Sequence, residues 1–341
     1  MGGVFSGEAN GNGTDAKDNI TAAAVLGINL ESNLTGNDLL RARLEASNFE
    51  GYAGRFNNNA SFNGLDTDYD DNSNDTVRLD ELYYQRKLGA GQLTVGTHGV
   101  DIDDVAGTAD APSGQYAFIE QFQANPAIAN AASGAGIGYK LGLGENLEVA
   151  AAYTLPTTSA ATTNDGLFGG TNTATAKVTY TPGDRTALSL AYARTSQQGV
   201  ASGTSLAADP FGNGDANGNN ISLAASRSIG RVDLSAHGGL SFLEDGSSDN
   251  SATVANWAAQ VGVQDLFGEG NYGGIGIGAV PYVTGGDVGS QDAPLAAQAF
   301  YSLKVSDGLA VQPQLVYISN PNGNSGNSNV WAGSVKTTLR F

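Results

Sequence analysis

Two groups of charged residues are the first place where this sequence could do chemistry. Asp101, Asp103, Asp104, Asp110 and Glu120 fall in one stretch, Gly99 to Ser133, and Arg41, Arg43 and Arg78 come from earlier segments. Carboxylates facing guanidiniums across a narrow aqueous passage set a transverse field that sorts small polar solutes by size and charge. Without such cations the acids would be no more than solvated loop residues. The stretch runs to 35 residues, and a structureless segment of that length is normally functional or disordered. A second acidic run, Asp66 to Asp75, puts Asp66, Asp68 and Asp70 at alternate positions, as oxygen ligands of Ca²⁺ would be. It has Asp71 where a Ca²⁺ loop needs glycine and Val77 where it needs a bidentate Glu, so it reads as a solvated acidic loop, a weak Ca²⁺ candidate that would at most recruit the ion loosely without a formed site.

Catalysis has little to stand on. His98 and His237 come from different strands, both facing inward, and no nucleophile elbow accompanies them. Gly-Gly-Ile-Gly-Ile-Gly at 273–278 precedes more strand and not a helix, so it is no dinucleotide fingerprint. It reads as a strand whose missing side chains leave lumen space. No cofactor is expected. The net charge of −18 and pI near 4.2 argue against nucleic acid as a partner.

What would position the charges is a set of strands. In Val330–Phe341 the residues Trp331, Val335, Leu339 and Phe341 share one face, while Ala332, Ser334, Lys336, Thr338 and Arg340 share the other. Period two with an aromatic near each end is the pattern of a strand between lipid and water. Leu40, Ala42, Leu44 and Ala46 oppose Arg41, Arg43 and Glu45; Leu147, Val149, Ala151, Tyr153 and Leu155 oppose Glu148. Val178 with Tyr180, Leu188 with Leu190 and Tyr192, and Leu309 with Val311, Leu315 and Tyr317 continue the outer face. Pro313 shares it and costs a ladder bond unless a bulge is present. Between Val77 and Arg86 the phase slips near Asp80-Glu81, which predicts a β-bulge. No stretch approaches the roughly 20 apolar residues of a membrane helix.

Short turns rich in Gly, Pro, Asp and Asn alternate with long polar loops, which trims one end of the structure and decorates the other. Seven short turns and eight long loops give sixteen strands with both termini at the trimmed end, fourteen or eighteen also being compatible. The expectation is an all-β, transmembrane antiparallel β-barrel over residues 1–341, with short periplasmic turns and long outer loops. It would sit in the bacterial outer membrane, among its lipids. Met1-Gly-Gly-Val lacks the basic and apolar regions of a signal peptide, as expected of a mature or trimmed chain with an added Met. A non-conducting structural or surface-binding barrel and a soluble Gly/Asn-rich adhesin are the competing readings.

Arg41-Ala-Arg-Leu-Glu-Ala-Ser-Asn48, Leu79-Asp-Glu-Leu-Tyr-Tyr84 and Ser205-Leu-Ala-Ala-Asp-Pro-Phe-Gly212 resemble segments of the OprB-type porins, in particular their cyanobacterial branch. So do Asn256-Trp-Ala258, Asp265 to Ile275 and Ser319-Asn-Pro321, in the same order along nearly the whole chain. The resemblance implies a homotrimeric, sixteen-stranded diffusion porin whose third outer loop, about 99–133, folds into the lumen. It also implies small-solute permeants, carbohydrates in some members and mainly inorganic ions in the cyanobacterial ones. Mixed lumen charge with acidic loops adds an expected modest cation preference. That branch normally carries an N-terminal S-layer-homology domain and a coiled coil, neither of which is in these 341 residues.

Overall fold

The computed structural model describes residues 2–3, 5–6, 22–49, 74–106, 114–129, 133–200, 202–212 and 214–341. Asp66, Asp68, Asp70 and Asp110 lie outside these residues.

The strands are β1 (Gly2–Gly3 and Phe5–Ser6), β2 (Ala22–Ala23 and Val25–Ser32), β3 (Asp38–Ser47), β4 (Arg78–Leu88), β5 (Gly91–Val100), β6 (Gly134–Leu143), β7 (Leu147–Leu155) and β8 (Asn172–Tyr180). They continue as β9 (Thr186–Ser196), β10 (Ala216–Ile229), β11 (Val232–Asp245), β12 (Ser251–Gln264), β13 (Tyr272–Gly286), β14 (Leu295–Ser306), β15 (Leu309–Ile318) and β16 (Val330–Leu339). Each pairs antiparallel with its neighbours in sequence. The ring closes through β1, where Phe5–Ser6 pairs with Gly333 and Ala332 of β16, and Gly2–Gly3 pairs with Ala23 and Ala22 of β2. Among the described residues, four single-turn helices sit in the long loops: α1 (Ile102–Ala106), α2 (Pro126–Ala129), α3 (Thr157–Ala160) and α4 (Ser205–Ala208).

Alternation decides what faces lipid. Leu190, Trp331 and Leu339 are exposed on the outer face, whereas inward Ala191, Ala332 and Ser334 are buried. Leu155, on the expected outer face, is nevertheless buried at 1% exposed. The bulge falls where the phase slipped: Arg43 pairs with Glu81 but Leu44 with Leu79, leaving Asp80 as the extra residue. Two adjacent residues, Asp80 and Glu81, thereby join Arg43 in ion pairs. Pro313 pairs with Val335 on one side, but the ladder toward β14 skips from Phe300↔Gln314 to Leu303↔Val311. A residue without an N–H leaves that gap. The turn between β10 and β11 rests on Gly230 at φ 60°, a conformation costly for other residues.

The lumen wall carries three buried apolar patches, each beneath a long loop. Inward-facing apolar residues in a water-filled barrel are stable only where something covers them. That requirement fixes which loops turn inward.

Candidate functional site

The third outer loop, L3, runs from the end of β5 to β6 and does fold inward. It opens with an N-cap, the backbone N–H of Asp104 donating to Asp101 Oδ1 at 2.7 Å. This starts α1 with Asp103 and Asp104 in its first turn. The helix lays Ile102, Val105 and Ala106 toward Ala150 and Ala152 of β7, and the same cluster continues through Ile128 of α2 to Ala191 and Ala193 of β9. Gly138 of β6 makes this possible, since a Cβ there would meet Val105 Cγ2 at 2.4 Å.

L3 next reaches the opposite wall. Ala117, Phe118, Ile119 and Phe122 pack on Ala258, Val280, Ala296, Val316, Ile318, Val330 and Ala332. Inward carboxamides fix the backbone of this segment: Gln298 Oε1 accepts from Phe118 N–H (2.9 Å), and Gln312 Nε2 donates to Tyr116 O (2.9 Å). Gln260 Nε2 donates to Phe122 O, and Gln298 Nε2 to Gln260 Oε1 at 3.2 Å. Gln121 Nε2 donates to Trp257 O at 3.0 Å and lies 3.4 Å from His237 Nε2.

The glycines of β13 do not leave open lumen. A Cβ on Gly276 would meet Phe122 Cδ1 at 2.9 Å, and one on Gly274 would meet Phe300 Cζ at 2.6 Å. They are small so that rings can sit against the wall. Tyr116 stacks on Tyr272 with centroids 4.5 Å apart and on Phe300 at 6.0 Å. No period in the sequence announces this stack, because Tyr116 reaches it from a loop.

The three arginines line β3 and β4, but their ion pairs run along their own wall. Arg41 meets Glu31 (3.4 Å) and Glu81 (2.5 Å); Arg43 meets Glu45 (2.6 Å), Asp80 (3.2 Å) and Glu81 (3.6 Å); Arg78 meets Glu45 (3.1 Å) and Asp80 (3.8 Å). Their side chains are 27%, 30% and 34% exposed. These interleaved carboxylates are readable in the sequence as Glu45, Asp80 and Glu81 on the same face. Among the described residues the loop acids form one ion pair, Asp103 Oδ1 with Lys177 Nζ of β8 at 3.6 Å. Glu120 opens the short turn Glu120–Phe122, on the segment packed against β12–β16.

Desolvation, then the charges of Asp104 and Asp103, push Asp101 up to about 7. Desolvation and the nearby charge of Glu81 push Asp104 up to about 6, against the lowering influence of Tyr83 and Arg41. Asp104 thus belongs electrostatically to the arginine wall, and L3 joins that wall to Lys177.

The model of the "Carbohydrate-selective porin, OprB family" matches residues 106–341. An uncharacterized protein of Nostoc sp. is 26% identical over 98% of this chain, and one of Synechocystis sp. is 30% identical over 92%. The chain spans 63% and 62% of the lengths of these relatives. The solved structure of OprB from Pseudomonas putida superimposes with a TM-score of 0.68 at 14% identity, over 100% of this chain and 92% of that one. Fold and family are those of channels and not of enzymes. The chain belongs to the OprB family of carbohydrate-selective porins, in the bacterial outer membrane.

Proposed function

We propose that this barrel is a passive diffusion channel for small hydrophilic solutes, chiefly inorganic ions, with small sugars as further permeants and a modest preference for cations. Homotrimeric assembly, which the family resemblance implies, belongs to the same proposal. One observation carries it. L3 covers the wall at β7 and β9 and again at β12–β16, while the arginine–carboxylate strip of β2–β4 keeps about a third of its guanidinium side chains in water. Charged groups stay wet because burying them costs far more than burying apolar groups. The conduit therefore runs between this strip and L3. Arg41, Arg43 and Arg78 pair with Glu31, Glu45, Asp80 and Glu81 there, and Lys177 with Asp103 of L3, so acids outnumber bases in these pairs among the described residues. Fixed negative charge in a narrow passage concentrates cations.

Planar-bilayer recording under a salt gradient tests the reading. Measurable conductance with a reversal potential of cation-selective sign is expected. An anion-selective sign would remove the preference. A correctly inserted barrel without current would instead support the structural or surface-binding alternative.

A further inference from the structure

The fifth outer loop, L5, between β9 and β10, also turns inward. At the outer end of the barrel, Leu243, Val254 and Val283 point into the lumen yet are 1%, 1% and 0% exposed. They are dry because Val200 and Ala207 of L5 are buried against them, with Leu206, Phe211 and Val288 packed at the edge. L5 is seated on a special feature of β13. Ala255 pairs with Tyr282 and Trp257 with Ala279, so Val280 and Pro281 together oppose Asn256. This bulge offers the Pro281 carbonyl, which accepts from Thr204 N–H at 2.9 Å. The approach is so close that a Cβ on Gly203, at φ 102°, would meet the same oxygen at 2.3 Å.

Two further loops lock the arrangement. Thr204 Oγ1 accepts from Ala207 N–H as the cap of α4 and donates to Gln291 Oε1 at 2.7 Å. Gln291 Oε1 also accepts from Val283 N–H (3.0 Å), and its Nε2 donates to Asn322 O (3.1 Å). Asn322 Oδ1 in turn accepts from Ser205 N–H at 2.7 Å. Gln291 thus ties the fifth, seventh and eighth outer loops to the inner wall of β13.

We infer that L5, held by Gln291, is a second filter: a fixed roof over the β11–β13 side of the outer mouth that screens solutes by size before they reach L3. The inference rests on the channel reading. It confines the open mouth to the remainder of the rim, and it makes Gln291 a positioning residue with no contact to permeant.

The test is the exclusion of graded polyethylene glycols, added from the outer or the periplasmic side during single-channel recording. Replacing Ser202–Gly212 by a short Gly/Ser linker, with Leu243→Ser, Val254→Ser and Val283→Ser to keep the bared wall wettable, should raise conductance about 1.5-fold. Larger polymers should then enter from the outer side, while the periplasmic limit stays where L3 sets it. Gln291→Ala keeps L5 but frees it, so the outer limit should rise part of the way with noisier open-channel current. Gln291→Glu retains the acceptor for Thr204 and Val283 and should recover most of the wild-type limit. An outer limit unchanged in both the replacement and Gln291→Ala, or a periplasmic limit that moves equally, would overturn the inference. Wild-type current reports on the channel reading alone, and a wild-type barrel carrying none would overturn both.

Discussion

Opposite parts of the same lumen wall are treated in opposite ways. On β2–β4 the inward side chains are arginines and carboxylates; the guanidinium side chains keep about a third of their surface in water, with Glu45 and Glu81 tucked beneath them at 9% and 15% exposed. On β12–β15 the inward polar groups include Asn256, Gln260, Gln298 and Gln312, all at most 5% exposed. A carboxamide can be covered because a loop backbone satisfies it, as Phe118, Tyr116 and Phe122 do here. A cluster of ions cannot be covered as cheaply, since each charge loses hydration that a few hydrogen bonds do not replace. The distribution of charge around the ring therefore decides where a loop can dock and where water must stay.

The comparison can be broken most forcefully on the covered side. Phe122→Ala removes a fully buried ring seated on Gly276 and should cost about 3 kcal/mol in urea unfolding of the barrel. It should also raise conductance as L3 loosens, and an unchanged unfolding midpoint would mean that L3 is not anchored there. Among the ions, selectivity should move. Asp103→Asn removes the carboxylate beside the buried Lys177 and should lower the cation-to-anion permeability ratio about two-fold. Lys177→Met should shift the ratio the other way, and like-signed shifts would dissolve the proposed pairing. The smallest effect is that of pH. Asp101 is held up to about 7 and Asp104 up to about 6, above the ordinary 3.8, so the folded chain binds protons more tightly than the unfolded one. Stability from this pair is greatest in acid and falls as pH rises from about 4 to 7. Cation preference should grow between about pH 5 and 8 as the two carboxylates ionise, and Asp101→Asn with Asp104→Asn should flatten that slope.

Much of the barrel is legible because lipid imposes a rule with period two. Leu188, Leu190 and Tyr192 against Ser189, Ala191 and Ala193 can be read directly, as can the slip at Asp80. The candidate site is legible in its parts and less so in its arrangement. Arg41 and Arg43 stand on the inner face as alternation requires, and Glu45, Asp80 and Glu81 pair with them from adjacent inner positions of the same wall. Inward Leu243, Val254, Val316 and Ile318 contradict a uniformly aqueous interior. They are the trace that inward loops leave in strand sequences, and only pairing them with the apolar residues of L3 and L5 shows what covers them. Loop contacts of that kind, such as Tyr116 on Tyr272, follow no period.

The amide contacts around L3, Asn256 with Asn125, Gln298 with Gln260 and Gln312 with Gln314 and on to Ser334, together with those of Gln260 and Gln312 to the L3 backbone, carry no formal charge. Dilution from about 0.1 M to 0.01 M salt stretches the reach of electrostatic forces from about 10 Å to 30 Å, which strengthens every ionic effect on the opposite flank and leaves dipolar contacts almost untouched. On the proposed channel reading, the calibre of the eyelet is thereby insulated from salinity while its discrimination among ions is not, and a bore of constant width changes only in which electrolytes traverse it.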